Sequence, residues 1–357
     1  MATITIGVDL AKRVFATCEV DSGGRVVRRQ ELSREGFSAW LAQQLPGTVI
    51  AMEACTGAHH WGRRCLDYGL EPRLMAAQFV GPFRKRQSCK NDRNDAEAIA
   101  TAARQGNMRF VPVKSADQQA HLSLHRLREA SKQECLAIGN RARGLLAEFG
   151  IVMPQGDAAL RRVLGGLYDY PELPALVVEL LDELAGQWAL SRARLDALSA
   201  RIEEQGRHDA RCRRAQAIIG VGPVTAHALV ATVGDAHEFR NGRQLAAWLG
   251  LTPAQHSSGG RSRLGSITCR GDAYLRTLLI QGARSSLQRA KAVTVEKATP
   301  EQIWIRSLSA RMSFGKVLVA IANKHARQLW AMLARGEDYD PEAWLKHPMV
   351  QRPATQH

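Results

Sequence analysis

The feature that most constrains the fold is the order of periodicities in residues 1–113. Three short β-rich runs, ITIGVDLA, VFATCEV and RVVRRQEL, are separated by Lys-Arg and Ser-Gly-Gly turns, after which helices and strands alternate. Runs joined this tightly predict a three-strand meander. A helix is expected from Arg34 to about Gln44, then the strand TVIAMEA, a helix from about Gly57 to Tyr68, the strand PRLMAA, and a helix from near Asp92 that stops at Gly106. Three strands followed by α and β in alternation imply an α/β layered domain.

Beyond it the period changes. Ser115 to Phe149 and Leu173 to Arg207 carry apolar residues at three- and four-residue spacings, interrupted by the Pro154 to Pro174 stretch. Residues 114–207 therefore predict two helices, either an antiparallel coiled-coil arm or part of a bundle. Residues 208–335 predict short helices rich in Gly and Arg, followed by a tail over 336–357.

Charge narrows the partner. The net charge is +15 and the pI about 10.0. Residues 261–335 alone hold 14 Lys and Arg against Asp272, Glu296 and Glu301. Such a surplus calls for a polyanion. No run reaches the ~18–20 apolar residues of a membrane span, and MATITIGVDLAKRVF does not read as a signal peptide. Seven scattered cysteines without a CxxC pair argue for reduced thiols in a cytoplasm and against a zinc site. Nucleic acid is the expected partner.

Four carboxylates stand out. Asp9 and Glu53 end apolar strands, where an unpaired charge costs several kcal/mol. Asp92 and Asp95, in KNDRNDAEAIA, lie three apart and share a helix face. An N-cap and a first-turn acid would also account for that second pair. Together the four could hold two divalent cations of the kind that assist phosphoryl transfer, with Mg²⁺ suited to an all-oxygen shell.

Two further motifs carry chemistry. IIGVGPVTAHAL resembles a helix-hairpin-helix, in which Gly220 and Gly222 would present backbone N–H groups to a phosphate, or form a tight structural turn. In HSSGGRSRLGSITCRGDAYLR a serine on a glycine loop stands among Arg261, Arg263, Arg270 and Arg276. That grouping suits attack on a phosphodiester, with guanidinium groups stabilising the charge, or a loop that only contacts phosphate.

Taken in order, GVDLAK, MEACTGAHHW, KNDRNDAEAIA, GVGP, LAAWLGLTP and HSSGGRSRLGSITCRGD resemble the DEDD transposases of the "IS one-ten" insertion-sequence family. The HSSGG–RLG form is similar to its "eleven-eleven" subgroup, and the Piv invertases are related. The resemblance implies a RuvC-like (RNase H fold) domain over 1–113, a coiled-coil arm over 114–207, and a mainly α C-terminal transposase domain over 208–335. It implies a Mg²⁺-binding tetrad of Asp9, Glu53, Asp92 and Asp95, and Ser258 as the nucleophile, with Ser257 one residue away. Donor and target DNA, a structured non-coding guide RNA, and a homodimer or homotetramer joining domains of different protomers would be the partners. ITCRG departs from the family's usual ITKRG at Cys269. A RuvC-like nuclease that uses water and a non-catalytic nucleic-acid binding protein are the rival readings.

Overall fold

The computed structural model describes residues 4–84, 92–256 and 263–342. The meander is Thr5–Asp9 (β1), Val14–Val20 (β2) and Val26–Ser33 (β3), paired antiparallel. Ser33 caps Arg34–Leu41 (α1) by accepting the Gly36 N–H. The chain then enters Val49–Glu53 (β4), parallel to β1. Ala58–Asp67 (α2) leads to Glu71–Met75 (β5), parallel to β4. Ala77–Val80 (α3) and Asp92–Ala103 (α4) precede a two-residue edge, Phe110–Val111 (β6), too short to register as a periodicity. The sheet order is β3-β2-β1-β4-β5-β6.

Alternation along the strands makes two unlike faces. Ile6, Val8, Phe15, Ile50, Met52 and Leu74 are large and meet α1 and α2. Phe15, Phe37 and Trp61 stack edge-to-face there, with ring centroids 4.9–5.4 Å apart. The opposite face carries Gly7, Ala16, Cys18 and Ala51, with Ala16 and Cys18 packed on Ala96 and Ala100 of α4. Small residues on both sides let α4 approach closely. A Cβ on Gly7 would stand 2.1 Å from the Ala96 carbonyl oxygen and 2.5 Å from the Ala100 nitrogen. This seating sets where Asp95 lies.

By compactness the chain divides after Gln119, six residues beyond the boundary expected from periodicity. The first turn of Ala116–Glu148 (α5) is tied back to the sheet unit, because Arg63 donates to the Lys114 carbonyl at 2.7 Å and to Gln119 Oε1 at 2.6 Å. The second unit, residues 120–357, holds the rest of α5, Asp157–Leu164 (α6) and Ala175–His208 (α7) around Ile138, Leu146, Leu160, Leu181 and Trp188. Arg128 reaches Ser199 at 3.0 Å, while Ile138 and Gln187 line one groove, so α5 and α7 run antiparallel.

The same unit continues through Ala210–Ala215 (α8), Pro223–Val233 (α9), Gly242–Trp248 (α10), the hairpin Pro253–Gln255 (β7) and Leu264–Ile267 (β8), then Ala273–Ala292 (α11), Pro300–Arg311 (α12) and Phe314–Arg335 (α13). Leu229, Leu245, Leu279, Ile305, Ile321 and Leu329 form its second core. Among the described residues no helix is long and apolar enough to cross a membrane.

Candidate active site

Asp9 and Glu53 occupy the carboxyl ends of adjacent parallel strands, one position beyond the Val8–Met52 pair. Open α/β sheets place their ligands at that edge. Both residues are half-buried, whereas Asp95 is buried. Partial burial, then the Glu53 carboxylate and more weakly Asp9, push the nearby Cys55 thiol up, so both acids stand within electrostatic reach of one atom.

Asp95 joins them through Arg84. Its guanidinium donates Nη2 to Glu53 Oε1 at 3.0 Å and Nε to Asp95 Oδ1 at 2.9 Å. Asp92 is the first residue of α4, and its side chain lies outside the described residues. Three of the four acids thus gather at one end of the sheet, with a fixed cation between two of them. Arg84 carries no spacing signal in the sequence, where it opens the Arg-Lys-Arg run after Gly-Pro-Phe and reads as part of a basic stretch. Among the described residues no three His, Cys, Asp or Glu side chains form a ready cation cage. The donors are all carboxylate oxygens, which fits a hard divalent cation, and the guanidinium stands in for positive charge between them.

His59 and His60 lie apart in role. His59 Nδ1 accepts the Lys114 N–H at 3.2 Å. The His60 ring meets the Trp61 ring edge-on, and burial with Arg63, Arg34 and Arg64 holds its pKa below the ordinary value.

The serine motif is framed by β7 and β8. The His256 N–H donates to the Arg263 carbonyl at 2.8 Å, closing the pair. Ser257, Ser258 and Arg261 lie outside the described residues. Arg263 and Arg270 are exposed. Arg276 is turned inward, its Nη1 donating to the Leu249 and Arg270 carbonyls, each at 3.0 Å. It therefore fastens the end of α10 to the segment after β8.

Gly222 is the exposed N-cap of α9, with nothing near a Cβ placed there. Gly220 has a local reason to be glycine. Its φ is +93°, and an added Cβ would lie 2.2 Å from the Gly282 carbonyl oxygen. The hairpin is thus pressed onto α11.

A second polar cluster, unmarked in the sequence, lies between α5, α9 and α11. His125 and His227 share a 2.8 Å hydrogen bond, and His125 Nδ1 meets the Tyr274 hydroxyl at 3.1 Å. Burial, then the neighbouring His227, Arg128 and His121, pull the His125 pKa down to about 3. Burial and His121 pull His227 down to about 4.

Comparisons with known proteins place the sequence among transposases. A model of DEDD transposases matches residues 6–151, which contain the acidic site. A second, described as Transposase IS116/IS110/IS902 family, matches residues 212–298, which contain the glycine hairpin and the serine motif. A probable family 20 transposase of Pseudomonas aeruginosa is 45% identical over 94% of this chain and 98% of its own. The transposase for insertion sequence element IS1111A of Coxiella burnetii is 38% identical over 94% and 90%. That for IS1328 of Yersinia enterocolitica is 35% identical over 93% and 97%.

Proposed function

The chain belongs to the IS110/IS116/IS902 family and is a DNA transposase, and from that premise we propose that it cuts and exchanges strands with Asp9, Glu53, Asp92 and Asp95 as a cation-binding tetrad on a RuvC-like sheet and Ser258 as the nucleophile. The observation that carries the reading is the gathering of Asp9, Glu53 and Asp95 at one carboxyl edge of the sheet, two of them bridged by the Arg84 guanidinium. A Mg²⁺ held by those carboxylates would supply Lewis-acid stabilisation of the attacking and leaving oxygens.

The remaining roles fall to the chain itself. Ser258 Oγ bonds to phosphorus, and the strand's ribose oxygen leaves as a hydroxyl carrying the serine proton. A hydroxyl from the exchanged strand then reverses the step. Arg261, Arg263 and Arg270 offset phosphate charge. Arg276 holds the base of that loop, and Gly220 and Gly222 turn α9 toward a backbone phosphate. We place a structured non-coding RNA beside donor and target DNA as guide, in the cytoplasm, with a dimer or tetramer as the working assembly. The +15 charge suits two polyanions.

The test is cleavage of DNA carrying the element's ends by Asp9→Ala and Asp92→Ala proteins. Each should fold as the parent does and lose cleavage by several orders of magnitude. Mixing Asp9→Ala with Ser258→Ala protein should restore part of it if protomers share the work. Wild-type rates in both acid variants would overturn the tetrad.

A further inference from the structure

Arg84 has a place in the fold that the reaction above leaves unused. Val80 is buried in the α4-side core and Phe83 packs beside it, so the Gly81–Phe83 turn delivers residue 84 to the sheet's carboxyl edge. There one guanidinium binds two carboxylates from different elements, Glu53 at the end of β4 and Asp95 on α4. The carboxylates are largely shielded, with 16% and 9% side-chain exposure, while Arg84 keeps 39%.

A guanidinium cannot lose its proton at any working pH, and its fork matches paired carboxylate oxygens. A divalent cation needs the same lone pairs at about 2.1 Å. Its charge would also repel a cation a few ångströms away. The two therefore compete for Glu53 Oε1 and Asp95 Oδ1.

We propose that Arg84 is an internal counter-cation. It holds Glu53 and Asp95 in position in the cation-free chain and must be displaced before a divalent ion can use them, so it sets the threshold concentration for loading. This inference rests on reading the four acids as a cation site. Arg84 is a positioning residue here. With the guanidinium seated in about nine molecules of ten, apparent affinity for the ion falls roughly tenfold below that of the open site.

The experiment titrates Mn²⁺ into full-length, chelator-stripped protein and follows the free-ion signal by electron paramagnetic resonance, with melting temperature read in parallel. Arg84→Gln should bind Mn²⁺ about tenfold more tightly than wild type. Its melting temperature should be lower than wild type without Mn²⁺, because the acids lose their partner, and should rise more when Mn²⁺ is added. Arg84→Lys keeps the charge without the fork and should fall between the two, so it carries the test if Arg84→Gln does not fold. Equal or weaker binding by the variants, while Asp95→Asn abolishes binding, would overturn the role of Arg84 and leave the cation site standing. Wild-type binding that Asp95→Asn does not change would remove the site and the proposal together.

Discussion

Replacing Gly7 by Ala tests how α4, and with it Asp95, is held. The added Cβ would sit 2.1 Å from the Ala96 oxygen and 2.5 Å from the Ala100 nitrogen. Both are backbone atoms, so no side chain can rotate away. Relief requires α4 to lift by about 1.3 Å to reach the 3.4 Å at which ordinary contact begins. That movement would loosen Ala96, Ala98, Ile99 and Ala100, all buried. Overpacking of this kind costs about 2–4 kcal/mol. For a unit near this size that lowers the melting temperature by roughly 8–16 °C. Differential scanning fluorimetry reads the shift, with Gly106→Ala as the control, because nothing lies within 4 Å of a Cβ there. Mn²⁺ binding should weaken in Gly7→Ala, since Asp95 rides on the displaced helix. A melting temperature within 1 °C of wild type, with unchanged Mn²⁺ binding, would refute the close seating of α4 as what places the site.

The buried histidines give a pH dependence. His125 and His227 fold with pKa values near 3 and 4 against about 6.5 in the unfolded chain. The unfolded state therefore takes up protons first, so stability is full above pH 6.5 and falls by roughly 3 kcal/mol for each histidine between pH 7 and 4. The groups facing the pair are His121, Arg128, Tyr274 and, beside His227, Asp209. Urea midpoints across that range should flatten in His125→Gln/His227→Gln protein; an equal slope would contradict the assignment. Arg276→Ala should cost about 1–2 kcal/mol, because two carbonyls lose their donor, yet leave the salt dependence of DNA binding nearly intact. Arg261→Gln/Arg263→Gln should instead reduce the log–log salt slope by about 0.9 per lost phosphate contact on duplex DNA. The reverse pattern would exchange their roles.

What was legible in the sequence follows from range. The meander, β4 and β5 are local patterns of alternation, and the strand-end positions of Asp9 and Glu53 can be read directly from IGVDLAK and VIAMEAC. The two long helices were equally visible at three- and four-residue spacing, as was the break between them; α6 within that break was not. Contacts between distant residues left no such mark. Arg84 bridges residues 31 and 11 positions away, and the His125–His227 bond spans 102 positions. Gly220 reads in the sequence either as a phosphate-facing turn or as a tight structural turn; its contact with Gly282 depends on how α11 crosses the hairpin, which no local pattern encodes.

The most direct test of the central claim is to look for DNA joined to protein. Full-length protein with its co-purified RNA would be incubated with Mg²⁺ and DNA bearing the element's ends, quenched in denaturant, digested and mapped by mass spectrometry. A nucleotide phosphate is expected on Ser258, absent from Ser258→Ala and from Asp9→Ala protein. A phosphate on Ser257 would move the nucleophile by one residue. Cleavage without any adduct, at the wild-type rate in Ser258→Ala, would rule out the serine nucleophile and leave a nuclease that uses water.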